Sequence, residues 1–160
     1  MAGSIMPIAS TAPRVSETRP GDAPIILYDG VCGLCNRLSQ FVLARDPEGR
    51  FRFAALQGAV AGEILTRHGR DPRDLDTLYL VLAPGGPEER LLRKSDAALR
   101  ILRELGGVWR LSAVLRIVPR AIRDLGYDLV ARTRYRLFGR YDTCPVPDPR
   151  HRARFLDRTD

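Results

Sequence analysis

The sequence predicts an α/β fold, a sandwich whose elements follow the order β-α-β-α-β-β-α with additional C-terminal helices. Short apolar runs bounded by turn residues recur near 25–28, 51–55, 77–82 and 89–93, as strands do. Segments of helical period separate the first three runs, which is how βαβ units read. Pro84-Gly-Gly-Pro87 joins the last two runs too tightly for a crossover, so they pair as an antiparallel hairpin.

Each element has a local reason. Residues 1–23 are rich in Pro, Ser, Thr, Ala and Gly without periodicity, and read as a disordered leader. Ile25-Ile-Leu-Tyr28 is the first strand, and Asp29-Gly30 breaks it. From Asn36 the pattern turns helical, with Leu38, Phe41 and Val42 on successive turns, until Asp46-Pro-Glu-Gly49 stops it. Phe51-Arg-Phe-Ala-Ala55 alternates as a second strand, and a helix over 59–68 ends near Gly69. The polar loop Asp71-Pro-Arg-Asp-Leu-Asp76 leads into a third strand apolar enough to be central. After the returning strand, Ser95 suits the N-cap of a helix over 96–105, which Gly106-Gly107 ends. Residues 108–118 are again helical, Pro119 restarts the pattern, and 120–138 sets Ile122, Leu125, Leu129 and Val130 on an apolar face. The expected division is a leader over 1–23, a core over 24–107 and a basic helical extension over 108–160 packed on that core.

The chemistry concentrates after the first strand, where Asp29-Gly-Val-Cys32-Gly-Leu-Cys35-Asn36 holds two cysteines at Cys-x-x-Cys spacing. They fall where a strand hands over to the first turn of a helix. Unpaired N–H groups there favour an anion, and the thiolate is both an anion and the reactive form of cysteine. Disulfide exchange needs an attacking thiolate and a second thiol to resolve the mixed disulfide. Cys32, nearer the helix start and expected to be less buried, is the attacking thiol, and Cys35 is the shielded resolving thiol. Asp29 is the third candidate catalytic residue. A carboxylate close to a thiolate raises the thiol pKa, so Asp29 suits a proton relay for Cys35 or a ligand for the loop N–H groups, or the plain turn role of Asp-Gly. Gly33 and Leu34 bring no charge between the cysteines, which slightly favours the reductase direction. A dithiol in the first βα corner of this element order is thioredoxin-like.

Asp29-Gly-Val-Cys32-Gly-Leu-Cys35-Asn36 after a short strand resembles the DCC family of thiol-disulfide oxidoreductases, named for its Asp-Cys-Cys motif. Arg93-Lys-Ser95-Asp-Ala-Ala98 and Tyr135-Arg-Leu-Phe-Gly-Arg140, followed by Cys144-Pro145, match that family's pattern too. The resemblance spans about residues 25–157. It implies a thioredoxin-like fold and protein-disulfide oxidoreductase activity, and names no substrate. Ordinary thioredoxins place a cis-proline before the strand facing the dithiol, to bind substrate backbone. Here the equivalent loop, Leu75-Asp-Thr-Leu78, has no proline.

The net charge of +7 is unevenly spread. Residues 1–89 carry 9 basic and 11 acidic side chains, and residues 90–160 carry 17 and 8. Lys94 is the only lysine, and arginine favours bidentate contact with phosphate or carboxylate. Arg132, Arg134, Arg136 and Arg140, interleaved with Tyr135, Phe138 and Tyr141, have the residue types of a nucleic-acid surface. A solvated helix face with its aromatics turned inward is the preferred reading, and a nucleic-acid partner is not expected. His68 sits at a helix end and needs no special role.

Three cysteines are too few for a disulfide scaffold, and no apolar run is long enough to cross a bilayer. Residues 1–12 lack the charge and unbroken apolar core of a signal peptide, so the expected location is cytoplasmic. There a Cys-x-x-Cys pair is more often catalytic or metal-binding than structural. The dithiol is its own redox centre, so no cofactor is required, and the expected partner is a protein or small-molecule disulfide or thiol. The rival reading is a non-catalytic, zinc-stabilised or partner-binding module using Cys32, Cys35 and Cys144, with His151 as a fourth ligand and the basic C-terminal surface. The proline-interrupted interval from Cys144 to His151 speaks against a zinc site.

Overall fold

The protein is described here by a computed structural model covering residues 22–143, 145 and 147–157. Strands β1 (Ile25–Tyr28), β2 (Arg52–Ala55), β3 (Tyr79–Leu82) and β4 (Arg90–Arg93) form one sheet in the order β2-β1-β3-β4. β1 runs parallel to β2 and antiparallel to β3, and β3 pairs antiparallel with β4. Helices α1 (Gly33–Arg45), α2 (Ala59–Arg67) and α3 (Lys94–Leu105) complete the expected thioredoxin-like order.

Alternation along β1 sets the layers, because successive strand residues face opposite sides. Ile26 and Tyr28 join Phe53 and Leu80 in a core closed by Val42 and Leu43 of α1 and Ala97 and Ile101 of α3. Ile25 and Leu27 face the other way, with Ala54, Tyr79 and Val81, against Ala61, Ile64 and Leu65 of α2. Both faces are covered, so β1 is a continuous apolar run, as a central strand should be.

Asp46 stops α1. It is 3% exposed, accepts the N–H groups of Arg50 and Phe51, and pairs with Arg154 from the far end of the chain. Nearby, Leu156 donates its N–H to Phe53 O at 2.8 Å, Phe155 stacks on Phe53, and Asp157 accepts the Ala55 N–H. The C-terminal residues thus run along the outer edge of β2.

After α3 the chain forms a 3-10 segment, Gly107–Ile117, in place of the expected α-helix, and then helix α4 (Arg120–Phe138), which packs on α1 and α3. Two further expectations are corrected here. Ser95 lies inside α3, and its hydroxyl donates to Asp124 of α4 instead of capping its own helix. The apolar stripe of α4 faces outward, with Ile122 60%, Leu125 71% and Leu129 66% exposed. The inward face instead carries Tyr127, Ala131, Arg134 and Tyr135. Polar docking decides the rotation: Lys94 pairs with Asp128 at 2.7 Å, Asp96 with Arg123 at 3.1 Å, and the buried Arg134 with Asp29 at 3.0 Å.

The expected leader falls outside the described residues except for Asp22 and Ala23, and Ala23 is buried. Among the described residues no helix is long and apolar enough to cross a membrane.

Candidate active site

Asp29 begins the corner that carries the dithiol. Its Oδ1 accepts the Val31 N–H at 3.1 Å, closing a tight turn, and Asn36 Nδ2 clamps the carbonyls of Gly30 (2.7 Å) and Cys32 (2.9 Å). Cys32 is the N-cap of α1, its backbone extended at φ −81° and ψ 124°, and Cys35 lies in the first turn. The Cys32 Sγ accepts the Cys35 N–H at 3.4 Å, the position a serine or aspartate oxygen holds in an ordinary cap. Both cysteines are free.

This geometry divides the thiols. The Cys32 thiol is lowered to about 6, first by the hydrogen bond from the Cys35 thiol, against the opposing effect of burial, and further by the Cys35 N–H and the positive charge of Arg134. Cys35 is pushed far up, by donating that same hydrogen bond and by burial. The two thiols are thus shifted in opposite directions, Cys32 toward the thiolate and Cys35 toward the protonated form.

One expectation is reversed. Cys32 is completely buried, while Cys35 is half-buried. The cover is the chain leaving α4, which sequence-local reasoning does not place there. Arg140 lies in an antiparallel bridge with Cys32. The Gly33 N–H donates to Gly139 O at 3.1 Å, and the Tyr141 N–H to Val31 O at 2.7 Å. Gly33 is required by this approach, since a Cβ there would stand 2.1 Å from Phe138 O.

Below the dithiol lies a polar cluster that sequence reasoning missed. Asp29 is 1% exposed, and both its oxygens are occupied. Oδ1 accepts from Gln57 Nε2 at 2.7 Å in addition to Val31, and Oδ2 accepts from Arg134 Nη2 at 3.0 Å and from the Tyr135 hydroxyl. Arg134, 3% exposed, also donates to Leu75 O at 3.0 Å and pairs with Asp76 at 3.1 Å. Its Nε–H has no acceptor among the described residues, so a donor is still free beside the dithiol. Tyr127 accepts the Leu78 N–H at 2.7 Å, and burial pushes its hydroxyl up to about 12. The proline-free loop at 75–78 is therefore held by side chains of α4. Nothing in the sequence singles out Gln57, but Arg134 and Tyr135 adjoin the segment Tyr135–Arg140 that carries the family resemblance.

The three resembling segments are neighbours in space. Asp29–Asn36 meets Arg134, Tyr135 and Gly139, and Lys94 and Ser95 hold Asp128 and Asp124 of α4. Cys144 lies outside the described residues. Among those described, no three His, Cys, Asp or Glu side chains are grouped as a metal site would require.

Comparison with known proteins agrees with this geometry. The chain is 36% identical over 132 residues to the uncharacterized protein YuxK of Bacillus subtilis (strain 168), covering 82% of this chain and 93% of that one. It is 38% identical over 124 residues to the DCC family protein At1g52590, chloroplastic, of Arabidopsis thaliana, covering 77% and 69%. No solved structure gives a significant match. The family model of DCC1-like thiol-disulfide oxidoreductases matches residues 26–140, which include the dithiol, the Arg134–Tyr135 cluster and the start of the strap over Cys32, and the chain belongs to that family.

Proposed function

We propose that the protein exchanges dithiol for disulfide through Cys32 and Cys35, in the direction of substrate reduction. The observation that carries this reading is the capped pair: Cys32 Sγ, at the N-cap of α1, accepts the Cys35 N–H at 3.4 Å, which helps to lower the Cys32 thiol while Cys35 is pushed up. The Cys32 thiolate attacks one sulfur of a substrate disulfide. The substrate S–S bond breaks, a mixed disulfide forms, and the displaced sulfur leaves as a thiolate that takes a proton. Cys35 then loses its proton and attacks the Cys32 sulfur, releasing the second substrate thiol. Two electrons have passed to the substrate, and the Cys32–Cys35 disulfide is reset by an external thiol.

Asp29 acts in this scheme as an anchor. Its carboxylate, saturated by four donors, fixes the turn and holds Arg134 near both sulfurs. This supports its role as a ligand of loop N–H groups over that of a proton relay. The uncharged Gly33 and Leu34 between the cysteines favour a mild reductant, working on protein or small-molecule disulfides in a reducing compartment such as the cytoplasm.

The test is the pH dependence of thiol reactivity. A lowered thiol pKa means more thiolate at a given pH, so alkylation of the reduced protein by iodoacetamide should rise through a midpoint near 6 and level off by neutrality. A midpoint near 9.0, the ordinary value for a thiol, would overturn the assignment of Cys32 as the attacking thiolate.

Access requires the strap over residues 139–141 to lift from Cys32. Tyr141→Pro removes the N–H that bonds Val31 O. Losing one hydrogen bond of about 1 kcal/mol should raise the open population, and with it the alkylation rate above pH 7, by about fivefold. An unchanged rate would mean that reagents reach Cys32 without strap opening.

A further inference from the structure

The outward surface of the C-terminal extension has a composition unlike the rest of the molecule. Along α4, Ile122, Leu125, Leu129 and Leu137 are 60–72% exposed and share one helix face, with Gly126 and Val130 beside them. The stripe runs from Ile122 to Leu137, roughly 22 Å at the α-helical rise. The 3-10 segment adds Val108, Leu111, Val114, Leu115 and Ile117, each at least 52% exposed. Scattered exposed leucines are ordinary, but a row of exposed aliphatic side chains along one helix face marks an interaction site.

The unpaired charges around it are positive. Arg110, Arg116, Arg132 and Arg136 are exposed, while Arg120 is held by Asp96 and Asp124. The two acidic residues of this region, Asp124 and Asp128, face the body of the protein, held by Ser95 and Lys94. A second copy of the chain would bring the same arginine rim against this one, and like charges would oppose the pairing. The exposed apolar side chains of this face are all aliphatic. Trp109, the single tryptophan, is half-buried, with its ring packed edge-on to Phe41. Hot spots of protein–protein interfaces favour Trp and Tyr, whereas aliphatic side chains flanked by cations suit the boundary between acyl chains and anionic headgroups.

We infer that the outward face of α4 and the 3-10 segment docks on an anionic lipid surface, its aliphatic side chains entering the headgroup boundary and its arginines contacting lipid phosphates. The inference does not depend on the redox reading. It has a spatial consequence, because Leu137 is followed at once by Phe138 and Gly139, whose carbonyls approach Gly33. Docking would hold the dithiol corner about one helix diameter, roughly 10–12 Å, from the surface.

Flotation of the full chain with vesicles tests this. The protein should float with phosphatidylcholine vesicles containing about one third phosphatidylglycerol and remain unbound with phosphatidylcholine alone. Binding should fall at least tenfold between about 0.1 M and about 0.5 M salt. Leu125→Glu with Leu129→Glu should weaken it at least tenfold, and Arg132→Ala and Arg136→Ala about fivefold each. All four residues are exposed, so melting temperature and alkylation rate should stay at wild-type values in every variant. No flotation with anionic vesicles at low salt would overturn the inference, as would equal flotation of the glutamate variant. A concentration-dependent dimer dispersed by Leu129→Glu, without flotation, would assign the face to self-association instead. Salt-sensitive capture by an acidic protein without flotation would also exclude the lipid surface.

Discussion

Replacing Arg134 with methionine is expected to destabilise the protein by about 3–5 kcal/mol, among the largest losses available to one substitution in this chain. Arg134 and Asp29 are 3% and 1% exposed and bonded at 3.0 Å. Methionine would fill much of the space but leave the Asp29 carboxylate buried without its cation. It would also free Leu75 O and Asp76, which Arg134 ties to the loop before β3. Urea unfolding of the reduced protein measures the loss. Pairing the change with Asp29→Asn removes the stranded charge, so the double variant should lose clearly less than the two single losses added together.

The same substitution should be visible in the chemistry. Arg134 lowers the Cys32 thiol through its charge, so its removal should shift the alkylation midpoint upward from about 6. Arg134→Lys retains the charge but, on a shorter side chain, draws it back from the place of Nη2, which alone serves Asp29, Leu75 and Tyr135. That variant should keep most of the low midpoint while losing stability. If the midpoint moved equally in both variants, the effect would come from geometry and not from charge.

The contrast between β1 and α4 shows what a linear sequence makes legible. β1 and the dithiol corner are readable because their determinants are local: an apolar run, an Asp-Gly break, a turn closed by Asp29 on Val31, and a cap made by Cys32 on Cys35. In α4 the helix itself is equally readable, but its rotation is not. Periodicity weighs only apolar side chains, and by that measure Ile122, Leu125 and Leu129 belong in a core. The inner face is chosen instead by charges whose partners lie far away in sequence, Arg134 with Asp29 and Lys94 with Asp128. The same distance hides the strap over Cys32, because the register of Gly139 on Gly33 follows from where α4 ends in space. One trace of it was legible in retrospect. The segment Tyr135–Arg140, matched by family resemblance and not by hydrophobic pattern, is where the strap begins.

Substituting the two cysteines separately should give opposite phenotypes, and this contrast discriminates best between exchange chemistry and a zinc-holding role. Cys32→Ser removes the thiolate, and reduction of a model disulfide should fall by at least about a thousandfold, since a serine hydroxyl stays protonated at neutral pH. Cys35→Ser keeps the nucleophile but loses resolution, so mixed disulfides should accumulate on Cys32 and be trapped from cell extract. Its Cys32 midpoint should move little, even though the Cys35 thiol is the first contributor to the lowered pKa. A serine hydroxyl donates a comparable hydrogen bond, so Cys35→Ala should raise the midpoint further than Cys35→Ser. In a zinc-stabilised module the two cysteines would behave alike. Either substitution, or Cys144→Ser, would release about one zinc per chain and destabilise the fold. Exchange chemistry demands asymmetry between Cys32 and Cys35, and the cap geometry, with the Cys32 sulfur accepting the Cys35 N–H, is built to produce it.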